Sequence, residues 1–162
     1  MTQNFKKLKP IFILLCFSLA AMNLTINIGC SADQQTVVYV DPPSVRDLNP
    51  PQTFTIAVKI ANVSVLYGFD IQFKWNPSIL EYVSHTMKVP KNTYPDGLLY
   101  NPILPIKNEV NSTAGTYWVA YASIYPAPSF NGSGTVFEMT FRVKSTGRCV
   151  LEILSCDLSD IS

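Results

Sequence analysis

The chain has 162 residues, of which 48% are apolar, 14% charged and 12% aromatic. Apolar matter in that proportion excludes a disordered chain, and the length suits one domain. With the first 30 residues set aside, nine basic and eleven acidic residues remain without a basic run, which excludes nucleic acid as a partner.

The amino terminus reads as an address. Lys6, Lys7 and Lys9 precede an uncharged stretch from Pro10 to Ser31, most apolar between Ile11 and Met22. A positive head, a short apolar middle and a polar run-out at Asn23, Thr25 and Asn27 predict an export signal over residues 1–30. A retained membrane anchor is the alternative, opposed by those same polar residues. Gly29-Cys30 leaves a lipidated cysteine as a third reading, with Asn27 standing where such signals usually carry an aliphatic residue.

From Thr36 onward a period of two dominates, and it turns successive side chains to opposite faces of a sheet. Strands are expected at Thr36 to Val40 and Thr53 to Ala61, where Phe54, Ile56, Val58 and Ile60 alternate with smaller or polar residues. In Tyr67 to Asn76 the residues Tyr67, Phe69, Ile71, Phe73 and Trp75 share one face. Gly68, Asp70, Gln72, Lys74 and Asn76 share the other. Further strands are expected at Leu80 to Ser84, Tyr117 to Ser123, Thr135 to Lys144 and Cys149 to Leu154. Asp41-Pro42-Pro43, Asn49-Pro50-Pro51, Asn76-Pro77-Ser78 and Asn131-Gly132-Ser133-Gly134 mark turns between them. Val89 to Gly115, with Pro90, Pro95, Pro102 and Pro105, reads as a long insertion holding one short strand near Leu98 to Tyr100. Two-faced short strands without a helical period predict an all-β protein: a two-sheet β-sandwich spanning residues 34–162.

Two cysteines fall in this domain. Cys149 and Cys156 are too far apart along a straight strand to bridge, so two small, buried or half-buried free thiols are expected. The spacing fits no zinc motif. The triplet N-x-S/T occurs at Asn62, Asn111 and Asn131, candidate glycosylation sites if the host modifies exported proteins.

The run Val63 to Val83 (VSVLYGFDIQFKWNPSILEYV) resembles the third and fourth strands of cohesin modules, with Trp75, Asn76, Pro77 and Leu80 at the family's aromatic–Asn–Pro–x–x–Leu step. Gly132 to Lys144 (GSGTVFEMTFRVK), followed by Gly147, is a second match in the family's order. The resemblance implies a nine-stranded jelly-roll sandwich, a fold shared with certain cellulose-binding modules. It also implies a non-catalytic role, docking the dockerin modules of cellulose-degrading enzymes through one sheet face. The family carries an Asn and an Asp on the third strand of that face; the Asp corresponds to Asp70, but the Asn falls on Gly68. The family's ninth strand follows the segment that ends here at Ser162, so the last strand is expected to be missing.

Candidate chemistry is sparse. His85 is the only histidine and is expected as a surface residue after a strand, with no nucleophile beside it. The carboxylates Glu81, Glu109, Glu138 and Glu152 show no paired arrangement for glycoside hydrolysis, and Glu138 alternates outward. Asp41 with Asp47, and Asp157 with Asp160, lack the dense spacing of a calcium loop and read as solvated turns. No metal, cofactor or enzymatic activity is expected. What remains is recognition. Asp70, Gln72 and Lys74 lie on the polar face of the third strand. If Trp118, Ala120 and Ala122 pack inward, then Tyr117, Tyr121 and Tyr125 form an outward stripe beside them. Such a plate suits a dockerin-like protein partner, for which tyrosine anchors are apt. Stacking on a polysaccharide is the alternative. The expected setting is extracellular, secreted or on the cell surface.

Overall fold

The computed structural model describes residues 35–160; the export signal, anchor and lipidation readings therefore fall outside the described residues. Eight strands follow one another: β1 (Val37–Asp41), β2 (Thr53–Leu66), β3 (Gly68–Lys74), β4 (Leu80–Met87), β5 (Ile103–Asn111), β6 (Thr116–Ser123), β7 (Phe130–Val143) and β8 (Glu152–Ser159). They form two four-stranded sheets, ordered β1-β2-β7-β4 and β5-β6-β3-β8. All pairings are antiparallel. The expected β-sandwich is present.

Alternation explains the layering. Ile56, Val58 and Ile60 of β2, Phe69, Ile71 and Phe73 of β3, and Phe137, Met139 and Phe141 of β7 are all buried. Phe73 meets Phe137 edge-on at 5.7 Å between ring centroids, and Trp75 meets Phe141 at 5.3 Å. Offset and edge contacts of this kind let rings interlock at close to crystal density. The central position of β3, between β6 and β8, ties the parity of the second sheet to these buried residues.

Two expectations about the insertion are overturned. Leu98 to Tyr100 is not a strand; Leu98 and Leu99 are fully buried plugs in a loop that folds back on β7. The loop is pinned by Leu98 N–H to Lys88 C=O (2.9 Å) and Thr135 N–H to Asp96 C=O (2.7 Å). The insertion's real strand is β5, which lies at the sheet edge and takes up Pro105 next to a register shift between Pro105 and Lys107. Proline survives there because an edge strand can spare a donor and a bulge leaves one residue unpaired. The last strand begins later than expected, at Glu152 rather than Cys149. Cys149 and Cys156 are half-buried free thiols.

Gly97 is packed so closely that a Cβ would lie 1.8 Å from the Lys88 carbonyl oxygen. Gly97→Ala should therefore push the loop off β7 and destabilise the domain by about 1–3 kcal/mol, the usual cost of overpacking. Chemical denaturation monitored by tryptophan fluorescence measures it.

Candidate functional site

Paired residues of an antiparallel sheet point to the same side, so the registers of β3 define the outward face of its sheet. The rows across that face are Leu104, Ala122, Gly68 and Ser159; then Lys107, Ala120, Asp70 and Asp157; then Glu109, Trp118, Gln72 and Ser155; then Asn111, Thr116, Lys74 and Glu152. Asp70, Gln72 and Lys74 are outward, as their alternation with Phe69, Ile71 and Phe73 requires.

The tyrosine stripe is not, apart from Tyr125, which is exposed in the turn beyond β6. Tyr117 is fully buried and Tyr121 is half-buried against the core, whereas Trp118 stands outside with 39% of its surface exposed. The parity of β6 is the reverse of that expected. The physical reason is volume and hydrogen bonding. An inward Trp118, Ala120 and Ala122 would leave the core short of bulk, while Tyr117, Val119 and Tyr121 fill it and find polar partners. The signal in the sequence was the pair of alanines beside the tryptophan.

Trp118 organises the face. Its Nε1–H donates to Asp70 Oδ1 at 2.7 Å, across from β6 to β3. The Lys107 ammonium sits 4.8 Å from the ring centroid and also binds Glu109 Oε1 at 2.7 Å. Ala120, paired with both Asp70 and Lys107, is left only 2% exposed although it points outward. The indole is held by a hydrogen bond on its edge and a cation over its face.

On the inner side the two sheets are closed by a polar seam. Asn108 Oδ1 receives His85 Nε2 at 3.0 Å and the Tyr117 hydroxyl at 2.8 Å, and Asn108 Nδ2 donates to Tyr121 Oη at 3.2 Å. Tyr82 Oη lies 2.6 Å from His85 Nδ1. An amide oxygen only accepts, so His85 is the Nε2–H tautomer and its Nδ1 accepts from Tyr82. His85 is thus a half-buried member of β4 joining β5 rather than a surface residue beyond a strand. Sequence reasoning missed Asn108 altogether, because its neighbours Pro102 and Pro105 hid the strand that carries it.

Other candidates separate. Asp41 forms an ion pair with Lys59, 18 positions on. Glu138 binds Lys88 at 3.1 Å and Glu81 binds Arg142 at 3.2 Å. Among the described residues no three His, Cys, Asp or Glu side chains converge as metal ligands. A cleft of about 790 Å³ opens at one end of the sandwich, floored by Phe54, Ile79, Val143 and Leu151. Of the sequon asparagines, Asn62 Nδ2 donates to Gln35 C=O at 3.5 Å. Asn111 and Asn131 instead use Oδ1, receiving Ala114 N–H and Val65 N–H at 2.9 and 2.8 Å.

The model of the cohesin domain family matches residues 38–154. The chain belongs to the cohesin domain family. Among solved structures, the sixth cohesin of Acetivibrio cellulolyticus scaffoldin B, crystallised with a Cel5 dockerin mutant, aligns with a TM-score of 0.56 at 16% identity. That alignment covers 78% of this chain and 87% of the other. The Clostridium thermocellum Coh-OlpA–Doc918 complex gives 0.57 at 9% identity, with the same coverage of 78% and 87%. A non-cellulosomal cohesin of the archaeon Archaeoglobus fulgidus gives 0.50 at 18%, covering 68% and 70%. No curated protein matches the chain. At these identities the solved cohesins share the fold with this one.

Burial pushes the Tyr117 hydroxyl far above the ordinary tyrosine value of 10.0, and it raises Tyr82 as well. Above pH 10 the unfolded cohesin chain loses the Tyr117 proton while the folded one keeps it, and Tyr82 gives up its proton later in the folded chain than in the unfolded one. The unfolded state then binds fewer protons, and stability falls as pH rises. The expected slope from Tyr117 is about 1.4 kcal/mol per pH unit, and Tyr82 adds to it in the same direction. Lys59 and Lys88, raised chiefly by hydrogen bonds to Asp41 and Glu138, add loss in the same direction. Tyr117→Phe should therefore flatten, without abolishing, the alkaline limb in urea melts from pH 8 to 12. Nitrogen-15 spectra of the His85 ring at pH 8 should show a protonated Nε2 and a bare Nδ1; the opposite tautomer would refute the seam as drawn.

Proposed function

We infer that this cohesin is a non-catalytic docking module that binds a dockerin-like protein through the outward face of the β5-β6-β3-β8 sheet. The observation that carries this reading is the face itself: a flat plate with small residues at Gly68, Ala120 and Ala122, a half-exposed tryptophan, and hydrogen-bonding groups at Asp70, Gln72 and Lys74. Flat, mixed surfaces with one large aromatic anchor suit protein partners. Family membership and the dockerin complexes of the solved cohesins support the choice of partner. The leader over residues 1–30 supports an extracellular or cell-surface setting for that docking.

Polysaccharide binding is the weaker reading. A sugar ring stacks on an open aromatic face, and the Trp118 ring already has the Lys107 ammonium 4.8 Å from its centroid. Tyr117 is sealed inside. Glycosylation at Asn111 and Asn131 is compatible with the exposed positions of both, while Asn62 is half-buried with its amide nitrogen engaged.

Isothermal titration of the purified protein against a panel of dockerin modules tests the docking role. At least one should bind, and Gln72→Arg, which plants a long side chain in the middle of the plate, should weaken that binding at least tenfold. Thr86→Arg on the other sheet should leave it unchanged. Equal affinity in both variants, or retention on insoluble cellulose with no dockerin bound, would overturn the reading.

A further inference from the structure

The cleft at one end of the sandwich lies away from the docking plate, and none of its lining residues belongs to a plate row. The β1–β2 loop, the β3–β4 turn and the β7–β8 loop build its walls. The β7–β8 loop is fastened to the β3–β4 turn. Lys144 N–H donates to the Ile79 carbonyl at 2.8 Å, Lys144 Nζ to the Pro77 carbonyl at 2.9 Å, and Ser145 Oγ to the Ser78 carbonyl at 3.0 Å. Asn76 N–H reaches Cys149 Sγ at 3.3 Å. On the opposite wall, Gln52 N–H donates to the Asn49 carbonyl at 2.8 Å, and the Gln52 carbonyl takes Val143 N–H at 2.9 Å, which ties the β1–β2 loop to β7. The cleft is therefore preformed, and a ligand entering it has little chain to order.

Its chemistry is amphipathic. The volume of about 790 Å³ falls within the range of about 300–1,000 Å³ typical of small-molecule sites. Leu48, Phe54, Ile79 and Leu151 line it and pack against the core, yet each is only half-buried. Val45 and Val150 add apolar surface at the rim, 40% and 64% exposed. The charged residues of the lining are Arg46, Asp47 and Arg148, all exposed. None of the three enters an ion pair among the described residues, whereas the remaining arginine, Arg142, is paired with Glu81. Two guanidinium groups against one carboxylate leave an excess of one positive charge. Arginine is weakly hydrated and grips a carboxylate through two parallel hydrogen bonds, which suits the lip of an apolar cleft.

We propose that this cleft binds an amphipathic monocarboxylate, with its apolar tail on Phe54, Ile79 and Leu151 and its carboxylate held by Arg46 and Arg148. The tail follows from the floor, which gains only by losing its contact with water. A sugar would set hydroxyl groups against that floor without hydrogen-bond partners. The single negative charge follows from the excess of one positive charge. A dianion such as a phosphate monoester would leave a charge uncompensated beside apolar surface. Two further methylene groups on the tail should tighten binding by about tenfold where they are fully buried. Added salt should weaken the contribution of the head and leave that of the tail. Sequence alternation gave no sign of this site, because its residues lie mostly in stretches legible only as turns and meet only when three connections converge.

The probe is octanoate, titrated calorimetrically into the purified protein at low salt and followed in parallel by amide nitrogen-15 spectra. The expected result is saturable binding at one site, at least threefold tighter than hexanoate and at least tenfold tighter than the uncharged octanol. Shifts should concentrate in residues 42–48 and 143–151. Arg46→Gln and Arg148→Gln should each weaken octanoate at least threefold, and the double variant should bind it no better than octanol. Val150→Glu, a carboxylate added at an exposed rim position, should weaken octanoate and spare octanol. Thr86→Arg on the outer face of the other sheet should change neither. All the substituted positions are exposed, and thermal melts check that the fold is kept. Absence of saturable binding, equal affinity for octanol, shifts centred elsewhere, or arginine variants that bind as before would each overturn the proposal. Retention on phosphatidylglycerol vesicles without uptake of free octanoate would assign the arginines to a lipid surface and overturn it as well. Whether a dockerin binds the plate bears on none of these outcomes.

Discussion

Interlocking of the two sheets through β3 is the constraint on which everything else rests. Phe69, Ile71 and Phe73 leave no room for a different register, because a slip of one residue would place Asp70, Gln72 and Lys74 in the core. Phe137 alone is gripped edge-on by Phe73 from β3 and by Tyr117 from β6, the latter at 4.9 Å. Since β3 sits between β6 and β8, its parity is passed by paired residues to both neighbours. The outward plate is thus the other side of the core. No separate device is required to present it.

The seam of Tyr82, His85, Asn108, Tyr117 and Tyr121 does for the sandwich's side what the aromatic rings do for its middle. Burying two tyrosines near the edge is tolerable only because their hydroxyls reach Asn108 or, for Tyr117, also the Met87 sulfur at 3.0 Å. Trp75 shows the cost of the alternative, since its buried Nε1 has no partner. A second indole turned inward at Trp118 would need a partner of its own; turned outward, it has Asp70. One choice of parity therefore settles both the interior and the plate, with Asn108 facing the seam while its neighbours Lys107 and Glu109 face outward.

Legibility followed how strongly each residue's fate was decided by its own neighbours in sequence. β3 and β7 could be read directly, because large apolar residues alternate with charged or polar ones and either face is unambiguous. β6 could not. Both of its parity classes contain an aromatic, and only the small volume of Ala120 and Ala122 pointed the right way. β5 was concealed by prolines that mean a break in an interior strand and are harmless at an edge. Leu98 and Leu99 looked like a strand fragment and are instead plugs, placed by contacts with β7 more than thirty positions away.

By itself the sequence determined the sandwich class, the outward direction of Asp70, Gln72 and Lys74, and membership of the cohesin family through its Trp75–Pro77 step and the Gly132 to Lys144 strand. These are local properties: side-chain period, turn chemistry and motif order act over a few residues. Which aromatic of β6 faces outward, what holds Trp118 flat, and how Leu104 comes to share a plate with Asp157 were decided only when strands distant in the chain were paired. Pairing register is a long-range quantity set by core volume and by the need to satisfy buried polar groups, and no stretch of sequence contains it alone.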